Sequence, residues 1–370
     1  MIEIGMDLST LEETERLGAQ FYENGTEAGL YDILKRHGVT SIRLRLWNDP
    51  FDEKGKNYGA GGCDIEAVLR AARRAVKNGM SWVLDFHYSD FWADPGRQLI
   101  PKAWQGFTTE QLEKAVYGYT KEILARCKNE GLYPAYAQIG NEITNGMLWP
   151  VGKVEYDEAG APLSYDNMTR LLKAGALAAR ESGNVKIVLH LERSCDNVRY
   201  RQWFDAVTAA GIDYDIIGVS YYPFWHGTVQ ELKYNLEDVS ERYNKDVMVV
   251  ETAYPFTDEH YADRPGVSLV INGEMTLPDG SPPPYPLSVE GQSNFLRDLV
   301  EMVKSVKRCT GLYYWEPGWL PLDGSTWSTA GARKYIGEEH KAGGNEWANQ
   351  CLFDYTGNLL PTINELDKLR

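Results

Sequence analysis

The chain has 370 residues, 38 of them basic and 53 acidic, for a net charge of −15. That balance excludes nucleic acid and anionic membrane surfaces as partners, since both require basic patches. The five cysteines (Cys63, Cys127, Cys195, Cys309 and Cys351) are odd in number and contain no CxxC pair, so neither a disulfide framework nor a zinc site is expected.

Met1-Ile2-Glu3-Ile4 leads straight into the first strand-like run, over residues 3–9. No leader peptide or membrane span is visible there, so an extracellular protein without its leader is expected, with a cytoplasmic location left open. A helical stretch at 26–37 follows, then a run at 41–47 and a helix at 64–78. The alternation continues with a strand at 81–88 and helix at 109–130, a strand at 136–143 and helix at 166–182, and a strand at 186–192 and helix at 198–210. It ends with a strand at 215–222 and helix at 228–243, a strand at 246–254 and helix at 289–307, and a strand at 311–317 with a terminal helix at 362–369. Eight strands, each with a helix behind it, predict an α/β protein of the (β/α)8 barrel (TIM barrel) type, a single domain over 1–370. An open doubly wound sheet is the competitor, but no GxGxxG or Walker pattern follows any strand. Two loops are long: 255–288 after strand seven and 318–349 after strand eight. Loops of that length in compact domains are usually functional, and these two belong at the C-terminal mouth.

Alternation along the strands assigns the inward faces. Strand two offers Arg43, Arg45 and Trp47 on one face and Ile42, Leu44 and Leu46 on the other. Strand three offers Val83, Asp85 and His87, strand four Gln138, Gly140 and Glu142, strand seven Val249, Glu251 and Ala253, and strand eight Tyr313 and Trp315. Each of Arg43, Arg45, Asp85 and His87 taken singly is explained as well by a structural ion network. The whole set gathered at one end of the barrel argues for a site, because buried polar groups need partners.

Glu142, in Gln138-Ile139-Gly140-Asn141-Glu142-Ile143, and Glu251, in Val249-Val250-Glu251-Thr252, each close an apolar run. A carboxylate there costs desolvation energy and usually has a task. Two such carboxylates are what glycosidic cleavage needs, one to deliver a proton and one to attack or to activate water. Glu142 as the acid needs a raised pKa; Glu251 must stay ionised, helped by Arg43 or Arg45 and by a hydrogen bond from Tyr222. A plain buried salt bridge is the competing reading for Glu251. His190 and Glu192 share a face of strand five and serve the cleft or the core equally well. Glu316 faces away from Trp315 by alternation and ranks low as an acid. Asp258, His260 and Asp263 are candidate cation ligands, although a solvated acidic loop explains them as well. The 11 tryptophans and 23 tyrosines suit sugar stacking, and a large core also uses them.

The motifs Ile42-Arg43-Leu44-Arg45-Leu46-Trp47, Asp85-Phe86-His87-Tyr88-Ser89-Asp90-Phe91-Trp92-Ala93-Asp94-Pro95, Gln138-Ile139-Gly140-Asn141-Glu142, Val219-Ser220-Tyr221-Tyr222-Pro223-Phe224-Trp225, Val250-Glu251-Thr252-Ala253-Tyr254-Pro255 and Tyr314-Trp315-Glu316-Pro317 resemble glycoside hydrolase family 53. The likeness spans nearly the whole chain. The stretch from Asp85 to Pro95 is its most specific part, because many retaining barrel glycosidases share the Asn-Glu pair. The resemblance implies endo-β-1,4-galactanase activity on type I arabinogalactan (pectic galactan) by a retaining double displacement. In that reaction Glu142 is the acid/base, Glu251 the nucleophile, and the carboxyl groups lie about 5–5.5 Å apart. It also implies that Arg45, His87, Asn141, Tyr222 and Trp315 hold the sugar at the cleaved position. Trp47 and Asp85 join the expected substrate-binding set, with Trp92, Trp319 and Trp347 as aromatic platforms further out. Some bacterial members resembling this chain carry calcium in the loop after strand seven; the run Thr257-Asp258-Glu259-His260-Tyr261-Ala262-Asp263 lacks the expected spacing, so no cofactor or metal is expected. The expected protein is a monomer whose partner is the polysaccharide.

Three rival functions stay open. A related retaining endoglycanase on mannan, xylan or β-glucan shares both glutamates. A carbohydrate-binding barrel that has lost catalysis normally shows a substituted acid or nucleophile, and both glutamates are present. A metal-dependent barrel hydrolase wants a His-x-His near the first strand, and Ile4-Gly5-Met6-Asp7-Leu8 has none.

Overall fold

The computed structural model describes residues 2–261, 269–277 and 279–370. Eight parallel strands close a barrel: β1 (Glu3–Asp7), β2 (Ser41–Leu46), β3 (Ser81–Phe86), β4 (Tyr136–Ile139), β5 (Lys186–Leu191), β6 (Ile216–Ser220), β7 (Asp246–Glu251) and β8 (Cys309–Trp315). Each pairs with its sequence neighbour, and β8 pairs back to β1. Helices follow the strands in turn: α1 (Leu30–Arg36), α2 (Ile65–Lys77), α3 (Thr109–Asn129), α4 (Asp166–Ser182), α5 (Asn197–Ala209), α6 (Val229–Tyr243) and α7 (Val289–Ser305). A final 3-10 helix, Pro361–Leu369, packs against α7 behind β8. This is the (β/α)8 architecture, with its longest loops after β7 and β8.

Local chemistry sets where the helices begin. Asp64 accepts from the Ala67 amide at the start of α2, and Ser288 from the Gly291 amide at the start of α7. Thr108 with Gln111, and Thr228 with Glu231, form reciprocal capping boxes on α3 and α6. The stretch expected as one helix over 26–37 starts later. Thr26–Glu27 pairs with Tyr22–Glu23 as a small hairpin, and α1 opens after Gly29.

The barrel interior is layered. Val83, Tyr136, Val188, Ile216, Met248, Val250 and Tyr313 form an apolar plug at the N-terminal end. Ile42, Leu44 and Leu46 of β2 face the helices, as alternation predicts. Gly5 admits the ring of Tyr313: a Cβ there would lie 2.1 Å from Tyr313 Cδ1. Above the plug the interior turns polar, with Asp7, Arg43, Arg45, Asp85, Gln138 and His190 all buried.

Candidate active site

At the C-terminal mouth the strands stop short of their expected ends. Gly140 (φ 83°), Glu142 (φ 50°), Tyr88 (φ 49°) and Glu316 (φ 48°) all adopt left-handed backbone, which ends the ladder and re-aims the side chains. After β4 this turns both Asn141 and Glu142 toward the cleft, where alternation had placed Glu142 alone with Gln138 and Gly140. On β7 the register slips: Val219 pairs with Val249, but the next residue, Ser220, pairs with Glu251. Val249 therefore packs outward while Met248 and Val250 plug the barrel, and Glu251 still reaches the mouth. Val249 and Glu251 thus do not share a face as expected; the slip intervenes.

The mouth holds a cavity of about 570 Å³. Glu142 and Glu251 both line it, as do Arg45, His87, Trp92, Asn141, Tyr222, Trp315 and Trp347. Three residues expected to touch substrate are set back from it. Trp47 is fully buried and donates from Nε1 to His87 Nδ1 (3.2 Å). Asp85, also fully buried, accepts from Arg43 Nη2 (2.8 Å) and lies 3.0 Å from His87 Nε2. Trp319 is stacked behind Trp327 and donates to Ser325 Oγ (2.9 Å). All three brace the lining instead of forming it. Pattern reasoning passed over Asp94, Pro95, Arg193, Trp225, His226 and Trp327 as lining residues. Asp94 and Pro95 carried a usable signal in the Asp85–Pro95 motif, and Trp225 in the Tyr221-Tyr222-Pro223-Phe224-Trp225 run after β6. At 44% Trp225 is the most exposed lining tryptophan; Trp327 is half-buried, and Trp92, Trp315 and Trp347 are each 5% or less.

The two glutamates sit in different surroundings. Glu251 Oε1 pairs with Arg43 Nη1 at 2.8 Å, and its Oε2 accepts from the Tyr222 hydroxyl at 3.2 Å. Burial pushes its carboxyl up to about 7; Arg43 pulls the other way, while Asp7 and Asp85 add to the rise. Glu142 faces no arginine. Its Oε1 lies 2.6 Å from Ser220 Oγ. Burial raises its carboxyl well above the usual range, with Glu251 and then Glu192 adding like-charge repulsion. Both pKa values are raised, against the expectation of a depressed Glu251. Their order is kept, since Glu251 has the cation and Glu142 does not.

Arg43 is the hub of the floor. It is fully buried and bonds Asp7, Asp85, Gln138, Asn141 and Glu251. Arg45 pairs with Glu316 (2.7 Å) and lies 4.4 Å from the centre of the Trp92 ring. Glu316 also accepts from the Thr10 amide and hydroxyl, which makes it an anchor for Arg45 set back from the cavity. Trp92 and Trp327 stack at 4.4 Å, and Trp315 meets Trp347 edge to face at 4.8 Å, so one wall is aromatic.

Glu192 lines the cavity beside Glu142, is 3% exposed, and is pushed up to about 7 by burial. Asp258 and His260 are exposed on the loop after β7, and Asp263 lies outside the described residues. Among the described residues, no group of three or more His, Cys, Asp or Glu side chains converges as cation ligands.

A family model described as glycosyl hydrolase family 53 matches residues 3–366. The chain belongs to that family. It is 36% identical to an endo-beta-1,4-galactanase of Bacillus subtilis (strain 168), over 97% of this chain and 84% of the relative. A probable arabinogalactan endo-beta-1,4-galactanase A of Aspergillus terreus is 38% identical, over 85% of each. Among solved structures, the family 53 catalytic domain of Ignisphaera aggregans superposes with a TM-score of 0.86 at 36% identity, covering 98% of this chain and 94% of that one. Membership in family 53 makes the chain a glycoside hydrolase.

Proposed function

We propose that the chain is an endo-β-1,4-galactanase that cuts pectic galactan with retention at the anomeric carbon. The carrying observation is one cavity lined by two glutamates of unequal environment, Glu251 held by Arg43 and Tyr222, and Glu142 without a cation. The names of the Bacillus and Aspergillus relatives support galactan as the polymer. In the first step the Glu251 carboxylate attacks the anomeric carbon while the glycosidic C–O bond breaks and the Glu142 proton passes to the leaving oxygen. In the second, ionised Glu142 takes a proton from water, the hydroxide attacks the same carbon, and the ester to Glu251 breaks. Asn141 spends its Oδ1 on Arg43 and one amide hydrogen on the Ala93 carbonyl, leaving the other for a sugar hydroxyl. His87 has both ring nitrogens engaged by protein, so it offers the sugar its ring surface. Trp92, Trp315, Trp327 and Trp347 supply flat faces for pyranose C–H bonds. A pectic polymer does not cross membranes, which favours an extracellular site of action, and a mouth open on one barrel needs no second subunit.

A reducing-sugar assay across galactan, xylan, mannan and β-glucan tests the substrate. Release from galactan exceeding the others by about two orders of magnitude supports it; equal or greater release from xylan or mannan overturns it.

A further inference from the structure

Behind the acid/base lies a buried hydrogen-bond chain that the double displacement does not itself require. Ser220 Oγ sits between Glu142 Oε1 (2.6 Å) and His190 Nε2 (2.8 Å). His190 is fully buried, and its other nitrogen, Nδ1, is 2.9 Å from Asn141 Oδ1. The Asn141 amide has one possible orientation. Its oxygen accepts from Arg43 Nη2 and its nitrogen donates to the Ala93 carbonyl. The chain thus runs Glu142–Ser220–His190–Asn141–Arg43–Glu251 and joins the two catalytic carboxyl groups through protein.

We propose that His190 is a positioning residue, locked as the Nδ1–H tautomer by Asn141, which acts through Ser220 to keep the proton on Glu142 until the leaving oxygen takes it. Two acceptors 2.9 Å apart would repel, so a hydrogen must lie between Asn141 Oδ1 and His190 Nδ1. Gln138 Nε2 is also near Nδ1, at 3.1 Å, but its two hydrogens have the Asp85 carboxylate and the Gly140 carbonyl. With Nδ1 protonated, Nε2 is a bare acceptor, and the Ser220 hydroxyl is the donor in reach. Ser220 has one hydrogen. If it goes to His190, Ser220 Oγ accepts from a protonated Glu142 and every buried group is satisfied. If Glu142 ionises, Ser220 turns to it and the fully buried His190 Nε2 is left without a protein donor. Loss of the Glu142 proton is therefore opposed from behind, which holds the acid in its protonated form.

The other ionisable groups facing this chain are Glu251, Glu192, Asp94, Tyr222 and Tyr200 around Glu142, and Arg43, His87 and His226 around His190. The three carboxylates act on Glu142 directly, whereas the His190 effect passes only through the serine hydroxyl. This inference rests on Glu142 as the acid/base. The tautomer is read without any substrate, so it can fail while the galactanase assignment stands, and the reverse also holds.

The experiment has two arms. Nitrogen-15 chemical shifts of the His190 ring in the full chain should report a neutral ring protonated at Nδ1 from about pH 5 to 8; a proton on Nε2, or an imidazolium, overturns the proposal. In His190→Leu the serine hydroxyl is freed for the Glu142 carboxylate, so the alkaline limb of kcat/KM should fall by about one pH unit. A limb that rises or stays overturns the proposal. Ser220→Ala and the Ser220→Ala/His190→Leu double variant should share one limb, since the histidine has no route to Glu142 without the hydroxyl. A further shift of about half a unit or more in the double variant also contradicts it.

Discussion

In the proposed mechanism Glu142 and Glu251 are the same side chain given two tasks by their neighbours. Glu142→Ala removes the proton donor, so turnover of native galactan should fall about 10²–10⁴-fold. An activated aryl β-galactoside, whose leaving group needs no proton, should lose far less, and parallel kinetics on the two substrates check this. The pH profile follows from the two environments. Glu251 must be ionised and burial pushes it up to about 7, so rate is lost as pH falls through that value. Glu142 must be protonated and is raised further, so rate is lost as pH climbs past its higher value. A bell of kcat/KM with its acid limb near neutrality is expected; a plateau extending down to about pH 4, the range of an unperturbed glutamate, contradicts the assignment.

Elements place these residues, and that level shows what was legible before the fold was seen. The eight strands and the inward faces of β2, β3 and β8 follow from period-2 alternation, because regular pleating holds along those runs, and the helices follow from their amphipathic 3.6-residue spacing. Alternation fails where the backbone turns left-handed, at Gly140 to Glu142 and at Glu316, and where β7 slips against β6. Pattern alone therefore misjudged the faces of Asn141, Val249 and Glu316. It also put Trp47, Asp85 and Trp319 on the substrate, because it gives a side chain's direction but not its depth. Most of the lining residues it missed lie on loops, where no period applies, and Trp225 and His226 sit in a single helical turn, Pro223–His226, too short to show one. Two predictions belong to the framework. Arg43→Met leaves Asp7, Asp85 and Glu251 buried without their shared cation and should cost roughly 3–5 kcal/mol. Gly5→Ala drives a methyl into the Tyr313 ring and should cost about 1–3 kcal/mol. Urea midpoints at unchanged m-value measure both.

Across the whole molecule, a −15 surface surrounds a mouth walled by tryptophans, which suits a neutral polymer and repels a polyanionic one. The rate on galactan should therefore change less than about two-fold between low and high salt, and polygalacturonate should not compete. Trp225, the exposed tryptophan at the rim, should matter only to chains long enough to reach it. Trp225→Ala should raise KM for long galactan about ten-fold, or ~1.4 kcal/mol, and leave a short aryl galactoside unchanged. The most direct test of the double displacement is mass mapping of an intermediate trapped with a 2-deoxy-2-fluoro-β-galactoside bearing a dinitrophenolate leaving group. A single glycosyl adduct on the peptide that contains Glu251 is predicted. An adduct on Glu142 or Glu192, or substrate turnover to the α-anomer with no adduct, would contradict it.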